Sequence, residues 1–338
     1  MIRKAETLAM TVLFIAAYCS LAQGQATPPT ILVINVANQV QYREDVSDPS
    51  KYATNPKVTP SAGLNKNFAV VTLLGDIVAV NGQPAKGTYV GRTRAIKASP
   101  DPNPGGAIAD ITREAIREVI FEILKSDGTP VGTIVGLGFS GGPAPPGAPL
   151  AQTAGNWAIV GGTGAFLGAR GELGGAQISG TPGARAASMA EDPANRRVNG
   201  GGKQPFVLQV IPMSVPQIVV TRAGPAVTHS KDLSLVTASK PAAAGEILSL
   251  SATGLGPTRP GVDPCKPFPA TPPAVVNSPV DVKVNGKSAE VLAAVGYPGA
   301  VDGYQVNFRV PSDAAKGTAT VQISAAWIAG PEVKMVIQ

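Results

Sequence analysis

The first group of residues whose chemistry could support catalysis is a charged cluster that precedes an apolar run. It consists of Asp110, Arg113, Glu114, Arg117 and Glu118. Carboxylates and guanidinium groups that line a pocket can transfer protons in a reaction. Charges at this spacing also form the solvated face of many surface elements. We keep Arg113 and Glu114 as catalytic candidates and leave the two alternatives open.

A second candidate pair, Arg170 and Glu172, lies in the most pattern-rich stretch of the chain, residues 156–173. This stretch consists of an apolar strand, a glycine turn and a second strand. Because Arg170 and Glu172 are two residues apart in a strand, their side chains point to the same side. They form either a polar pair inside a barrel or a pair on its surface. Both residues are catalytic candidates, together with Arg113 and Glu114.

Two glycine-rich motifs resemble cofactor or nucleophile motifs but lack the helix that each requires. Gly161-Gly-Thr-Gly164 is similar to a dinucleotide fingerprint, and Gly138-Phe-Ser-Gly-Gly142 is similar to a nucleophile elbow. The fingerprint binds phosphates only through a following helix N-terminus, and more glycines follow here. The elbow also needs a helix after its serine, which the proline run from Pro143 prevents. The sequence therefore predicts no nucleotide cofactor and no serine nucleophile.

Metal-binding chemistry is not expected, since ligand residues are scarce. The chain contains 1 histidine, His229, and 2 cysteines, Cys19 and Cys265. A structural or catalytic zinc site usually takes about three or four ligands from such residues and carboxylates. We expect neither a metal nor a cofactor, and we assign His229 to a linker between two domains.

The N-terminus has the pattern of an export signal. Met1-Ile-Arg-Lys4 is positively charged, a short apolar run follows, and Ser20 and Ala22 are small residues at the expected cleavage site. We predict a signal peptide over residues 1–22 and a secreted, extracellular protein, with a periplasm or a cell surface as further locations. The apolar run is too short for a stable membrane span. Cleavage would leave Cys265 as the remaining cysteine, so no intrachain disulfide is expected.

Composition and charge favour short strands and limit the classes of partner. The 338 residues include 39 glycines and 32 prolines, and only 15% are charged, which favours strands and turns over long helices. The net charge of +6 indicates a mild attraction to anionic surfaces or cell-surface glycans. No dense block of lysine and arginine is present, so nucleic acid is not an expected partner.

Turn residues and alternating apolar positions predict many of the strands. Asn81-Gly82 and Asn285-Gly286 each separate two apolar runs, and both residue types tolerate the positive φ of a hairpin turn. Residues 304–310 alternate strictly between apolar and polar side chains, which predicts a strand with one buried face.

Two further regions carry less direct signals. Residues 111–124 fit either a helix with one charged face or a strand; we predict at most a helical turn before Arg117 and a strand after it. We also predict a strand at 175–180 and long loops at 41–63, 141–155 and 181–203, where prolines, glycines or charges break the apolar pattern.

Residues 156–173 also carry a family resemblance. The segment Ile159-Val-Gly-Gly-Thr-Gly-Ala-Phe-Leu-Gly-Ala-Arg-Gly-Glu172 resembles the motif of the allene oxide cyclase-like and dirigent-like barrels. With the preceding hairpins, the resemblance covers residues 30–213. It implies an eight-stranded antiparallel barrel with a central cavity, closed so that no strand edge is free. Family members cyclise a fatty-acid epoxide, steer the coupling of phenolic radicals or cyclise quinone methides, mostly by shaping a bound intermediate.

The second half of the chain resembles a TIG-type, Ig-like domain that recurs in secreted bacterial proteins. The matching segments are Ala252-Thr-Gly-Leu-Gly-Pro257, Val282-Lys-Val-Asn-Gly286 and Tyr304-Gln-Val-Asn-Phe-Arg-Val-Pro311. The resemblance covers residues 215–338 and implies a β-sandwich. Such domains usually act as spacers, surface-display units or binding units.

The sequence thus predicts a mostly β, secreted protein with an eight-stranded antiparallel barrel and a C-terminal Ig-like β-sandwich. The expected function is binding of a small apolar or phenolic molecule in the barrel, without strong catalysis. One alternative is an isomerase or cyclase of a reactive small molecule, which needs an ionisable group facing the barrel interior. Another is a structural protein of the cell surface or matrix. Because a fold alone does not specify an activity, the lining of the barrel must discriminate between them.

Overall fold

The computed structural model describes residues 29–43, 70–95, 115–139, 153–176, 178–189 and 191–338. Strands dominate these residues, in agreement with the predicted fold class. The predicted signal peptide at 1–22 and most of the loops predicted at 41–63 and 141–155 lie outside the described residues. Within the ranges above, no helix has the length and apolar character that a bilayer crossing requires.

Eight strands in the first half of the chain close into an antiparallel barrel. The strands of this half are Thr30–Arg43 (β1), Val70–Val80 (β2), Gln83–Ala95 (β3), Ala115–Lys125 (β4), Pro130–Phe139 (β5), Thr153–Gly164 (β6), Arg170–Ala176 (β7), Arg185–Ser188 (β8) and Gly202–Ile211 (β9). The order around the barrel is β1 to β7, then β9, which pairs again with β1. Short β8 lies outside this circle and pairs in parallel with the end of β1. The predicted eight-stranded antiparallel barrel is confirmed.

The two ends of the barrel carry different connections. The β2–β3, β4–β5 and β6–β7 turns are short and lie at one end, which we call the short-turn end. The β1–β2, β3–β4, β5–β6 and β7–β9 connections are much longer and start from the opposite end, which we call the long-connection end. Since binding residues are often carried by loops that a rigid scaffold positions, the long-connection end is where a site is expected.

The local turn signals of this half are correct. The hairpin predicted at Asn81-Gly82 is confirmed by the β2–β3 pairing, and the two turn residues have φ of 48° and 76°. Trp157, Ile159 and Phe166 are buried in the barrel core, as expected for the apolar positions of the glycine-rich stretch.

Three predictions about element boundaries need correction. The ambiguous segment forms a strand from Ala115 onwards, so the strand begins two residues before Arg117 and not after it. The separate strand predicted at 175–180 is wrong, because β7 already ends at Ala176 and Ile178 is exposed. The loop predicted at 181–203 contains β8, a 3₁₀ helix and the start of β9.

Three aromatic side chains fill the middle of the barrel. Tyr89, Phe121 and Phe206 are fully buried, and their ring centroids are 4.6 to 5.3 Å apart. Gly91 leaves room for them, since a Cβ there would lie 2.7 Å from the Tyr89 hydroxyl. Aromatic pairs at such distances stabilise a core by about 0.5–1.5 kcal/mol beyond the buried area. The middle of the barrel is therefore filled by side chains.

An ionic cluster attaches the β7–β9 connection to the outer face of the barrel. Asp76 is 8% exposed and accepts hydrogen bonds from Nε and Nη2 of Arg197 at 2.8 and 2.9 Å. It also accepts one from Nδ2 of Asn38 at 3.0 Å and forms an ion pair with Arg196. The two arginines flank the end of the 3₁₀ helix Pro193–Arg196. The cluster thus holds this connection against β1 and β2.

The second half of the chain forms a curled antiparallel sheet. Its strands are Gln217–Ile218 (β10), Val220–Thr221 (β11), Gly224–Pro225 (β12), Val227–His229 (β13), Ile247–Thr253 (β14), Thr258–Arg259 (β15), Val275–Val276 (β16), Val280–Val284 (β17), Lys287–Gly296 (β18), Gly303–Arg309 (β19), Gly317–Ala325 (β20), Ile328–Ala329 (β21) and Val333–Ile337 (β22). The main order is β10-β14-β19-β18-β17-β20-β21, and β11 and β12 pair only with each other. Long β18 pairs with β17 through its first residues and with β19 through the rest. The sheet therefore folds over one apolar core, which is consistent with a sandwich.

Two sequence predictions in this half have different outcomes. The alternating strand at 304–310 is confirmed, since Tyr304, Val306 and Phe308 are buried on one face of β19. The assignment of His229 to a linker is wrong, because His229 ends β13 and pairs with Leu248 of β14. Its imidazole is buried, and Nδ1 lies 2.6 Å from Oε1 of Glu246.

The hairpin turn between β20 and β21 contacts the short-turn end of the barrel. Ala326 and Ile328 are buried in the barrel core, and Nε1 of Trp327 donates a hydrogen bond to Oε1 of Gln83 at 2.9 Å. The second sheet thus covers the short-turn end of the barrel.

Candidate functional site

Arg117 points into the barrel because of its position in β4. The strand alternates, and Ala115, Arg117, Val119 and Phe121 are buried while Ile116 is exposed. Alternate residues of a strand face the same side of the sheet, so Arg117 shares the inner face with the apolar core. It is the third residue of the strand and lies near the long-connection end.

The guanidinium group of Arg117 contacts two aromatic side chains. Its Nη2 donates a hydrogen bond to the Tyr89 hydroxyl at 3.1 Å, and its Cζ lies 4.9 Å from the ring centroid of Trp157. Arg117 is 9% exposed. Among the described residues, no carboxylate forms an ion pair with it, and its Nε has no hydrogen-bond partner. The barrel therefore holds a buried cation whose charge no side chain of the described chain neutralises.

The charge of Arg117 affects the neighbouring tyrosine. Burial raises the pKa of Tyr89, and the nearby Arg117 offsets part of that rise. Tyr89 is therefore a neutral phenol at physiological pH. Because Arg117 donates to its oxygen, the phenolic hydrogen can be donated to another acceptor.

Further buried polar groups of the barrel lack hydrogen-bond partners among the described residues. Nε1 of Trp157 and Oε1 of Gln39 are buried and have no hydrogen-bond partner among the described residues. Gln39 donates to Oε1 of Gln204 at 3.1 Å, and both side chains are nearly inaccessible to solvent. Most buried polar groups in folded proteins are paired. Nε of Arg117 and Nε1 of Trp157 belong to side chains that contact each other, so this part of the barrel holds two buried donors that no described residue satisfies.

The residues favoured from sequence lie elsewhere. Arg170 and Glu172 flank Gly171 on β7 and face away from the interior, because the next residue, Leu173, is fully buried in the core. Nη1 of Arg170 donates to the carbonyl oxygens of Val160 and Ala169 at 3.0 and 2.9 Å. The pair is therefore outside the barrel.

The other candidates, Arg113 and Glu114, lie outside the described residues, and their catalytic role stays a prediction. Ser140 of the glycine motif also lies outside them. Arg117 belongs to the same charged cluster of the sequence as Arg113 and Glu114, and residue type alone does not distinguish it from them. The signal that distinguishes Arg117 is its place in the alternating run from Ala115 to Ile123.

Comparisons with known proteins do not assign the chain to a family. No family model matches the sequence, and no curated protein matches it. Among solved structures, the chain is similar to a pterocarpan synthase dirigent protein, with 17% sequence identity and a TM-score of 0.28. The similar region covers 54% of this chain and 88% of that protein. A TM-score this low carries no argument about function, and the barrel assignment rests on the strand pairings.

Proposed function

We propose that the barrel binds a small phenolic or otherwise aromatic molecule that carries an oxyanion, at its long-connection end and without strong catalysis. The single observation that supports this proposal is the buried guanidinium group of Arg117, which forms no ion pair with any residue that the structure describes. An isolated buried charge costs several kcal/mol, and a protein normally neutralises it with a partner. In this proposal, the ligand supplies the missing negative charge.

The aromatic side chains around Arg117 favour a ligand with an aromatic ring. The rings of Trp157 and Tyr89 line the same interior region, and aromatic side chains pack well against planar apolar molecules. A carboxylate or phenolate oxygen could accept hydrogen bonds from Nε of Arg117 and Nε1 of Trp157. Sites of this kind are mostly apolar and use a few polar groups to orient the ligand.

Binding is a better proposal than isomerisation for the residues that the structure describes. An isomerase or cyclase needs a proton donor and a proton acceptor beside the ligand. Tyr89 could donate a proton, but Asp76 is the sole buried carboxylate of the described barrel, and it faces outward into the arginine cluster. No described carboxylate or imidazole therefore faces the barrel interior.

The N-terminal sequence supports a second part of the proposal, that the chain is exported. Residues 1–22 have the charge and apolar pattern of a signal peptide. Expression of the full chain in a secreting host, followed by mass measurement of the released protein, tests this location. A mature N-terminus after Ala22 is expected, and retention of residues 1–22 on a protein that stays in the cytoplasm would contradict it.

Ligand binding can be tested through the two tryptophan indoles. The chain contains 2 tryptophans, so an amide correlation spectrum shows separate indole peaks for Trp157 and Trp327, which Trp327→Phe assigns. Titration with 4-hydroxycinnamate or benzoate should shift the Trp157 peak in a saturable manner. Arg117→Met should weaken binding by about 10- to 100-fold, since a charge-assisted hydrogen bond contributes about 1.5–3 kcal/mol.

Arg170→Met is the matched control, because Arg170 is an arginine of the same barrel that faces away from its interior. The control should bind like the unmodified protein. Equal loss of binding in both variants, or no shift of the Trp157 peak with any anion, would reject the proposed site.

A further inference from the structure

The turn between β20 and β21 has an unusual backbone for its residue types. Ala326 and Trp327 have φ of 50° and 62°, a region that L-residues other than asparagine and aspartate rarely occupy. In the part of the chain that the structure describes, the other turns with two consecutive positive φ angles are Asn81-Gly82 and Asn285-Gly286. Strain of this kind persists where the surrounding structure imposes it, and it is concentrated at ligand sites.

Packing explains part of this turn but not all of it. Ala326 and Ile328 are buried against the barrel core, so their positions follow from the contact between the two halves of the chain. Trp327 remains partly exposed and lines a cleft of about 460 Å³ between the barrel and the second sheet. Its ring is held in place by the hydrogen bond from Nε1 to Gln83.

The rest of the cleft is mostly polar and carries little net charge. Four of its residues lie on the outward face of paired strands, where Asp281 is opposite Ser324 and Lys283 is opposite Gln322. The negative charge of the Asp281 carboxylate and the positive charge of the Lys283 ammonium group cancel. Gln322 is oriented by a hydrogen bond from Nε2 to the Gly330 carbonyl oxygen at 2.9 Å. The cleft thus combines an aromatic ring with hydroxyl, amide and charged groups on rigid strands.

We propose that this cleft is a binding site for a neutral oligosaccharide. A pyranose ring has an apolar C–H face, which can stack on the indole of Trp327, and a rim of hydroxyl groups that both donate and accept hydrogen bonds. Ser324, Gln322 and Asp281 offer the complementary groups. The balanced charges of the cleft favour a neutral sugar over a polyanion. The volume is within the range of small-molecule sites.

The saccharide site is independent of the proposed anion site, since it lies at the opposite end of the barrel. The test is a titration of the full chain with maltotriose, cellotriose and tri-N-acetylchitotriose, followed through the Trp327 indole peak. We expect at least one of them to shift this peak in a saturable, salt-insensitive manner and to leave the Trp157 peak in place. Ser324→Ala and Asp281→Asn should each weaken binding by about tenfold, as expected for loss of one good hydrogen bond.

Thr318→Ala serves as the control variant, because Thr318 is exposed on the same strand β20 but outside the cleft. It should bind like the unmodified chain, and an unchanged Trp157 peak shows that each variant is folded. The proposal is overturned if none of the three sugars shifts the Trp327 peak, or if the cleft variants bind as tightly as the control. It is also overturned if only heparin or polygalacturonate shifts the peak and salt abolishes the effect.

Discussion

The ionic cluster around Asp76 makes a prediction about stability and pH. Burial alone would raise the pKa of Asp76, but hydrogen bonds from Arg197, Asn38 and Arg196 outweigh it and lower the pKa from 3.8 to about 2. The carboxylate is thus favoured in the folded protein. Replacement of Asp76 by asparagine keeps the shape of the side chain and removes its charge, so it isolates this electrostatic contribution.

The size of the effect follows from the pKa difference. A shift from 3.8 to about 2 corresponds to about 2 kcal/mol of stability at neutral pH. The Arg197 side chain is 68% exposed, and solvent screening there reduces the expected value to about 1–2 kcal/mol. Because the folded pKa is the lower one, the contribution is complete above about pH 5 and is lost as the pH falls through 3.8 towards about 2.

Urea denaturation of the unmodified protein and of Asp76→Asn measures this difference. We expect the variant to be less stable by about 1–2 kcal/mol at about pH 7, and the gap to narrow to roughly half at about pH 3. Arg196→Gln should cost more than Arg197→Gln, because the Arg196 side chain is only 14% exposed. A gap between the unmodified protein and Asp76→Asn that stays constant from neutral to acidic pH would refute the electrostatic explanation.

Three further substitutions test individual contacts, two in the barrel and one in the second half of the chain. Gly162→Ala should lower the free energy of unfolding by about 1–3 kcal/mol, because the new Cβ would lie 2.4 Å from the Phe166 carbonyl oxygen. Gly161→Ala, whose Cβ has no neighbour nearer than 4.0 Å, should change it by less than about 0.5 kcal/mol; equal effects in denaturant melts would contradict the packing argument. Glu246→Ala should destabilise the second half by about 1–3 kcal/mol. The Glu246 carboxylate lies 2.6 Å from Nδ1 of His229 through Oε1, and its Oε2 accepts a hydrogen bond from the Ala243 amide at 2.8 Å. An unchanged melting profile would show that this carboxylate does not hold the 230–246 segment.

Features that depend on neighbouring residues were predictable from the sequence. The Asn81-Gly82 and Asn285-Gly286 turns have the positive φ angles that these residue pairs tolerate. The alternation at 304–310 identifies the buried face of β19 because strand side chains alternate with a period of two. The closed barrel followed from a resemblance, and the strand pairings confirm it.

The site itself could be predicted only in part. As part of a helix, Arg117 would lie on the charged face with Arg113 and Glu114; as part of a strand, it lies on the face of Val119 and Phe121. Whether the segment is a helix or a strand therefore decides whether the Arg117 guanidinium group is exposed to solvent or buried. The structure answers this question, because β4 begins at Ala115 and so places Arg117 on the buried face of a strand.

Contacts between residues that are far apart in the sequence could not be predicted from local sequence patterns. Gln39 and Gln204 are separated by 165 residues, and Asp76 and Arg197 by 121 residues. Each pair meets because the barrel closes or because the β7–β9 connection folds back over β1 and β2. Their residue types are common on protein surfaces, so nothing in the sequence distinguishes them from solvated polar residues.

The most direct test of the anion site compares a charged ligand with its neutral analogue. Calorimetric titrations of 4-hydroxycinnamate and 4-hydroxycinnamamide should show that the unmodified protein prefers the carboxylate by about tenfold or more. In Arg117→Met this preference should disappear, while the weak binding that remains is the same for both molecules. An equal preference for the carboxylate in both proteins would mean that Arg117 does not bind the anion, and the proposed function would be wrong.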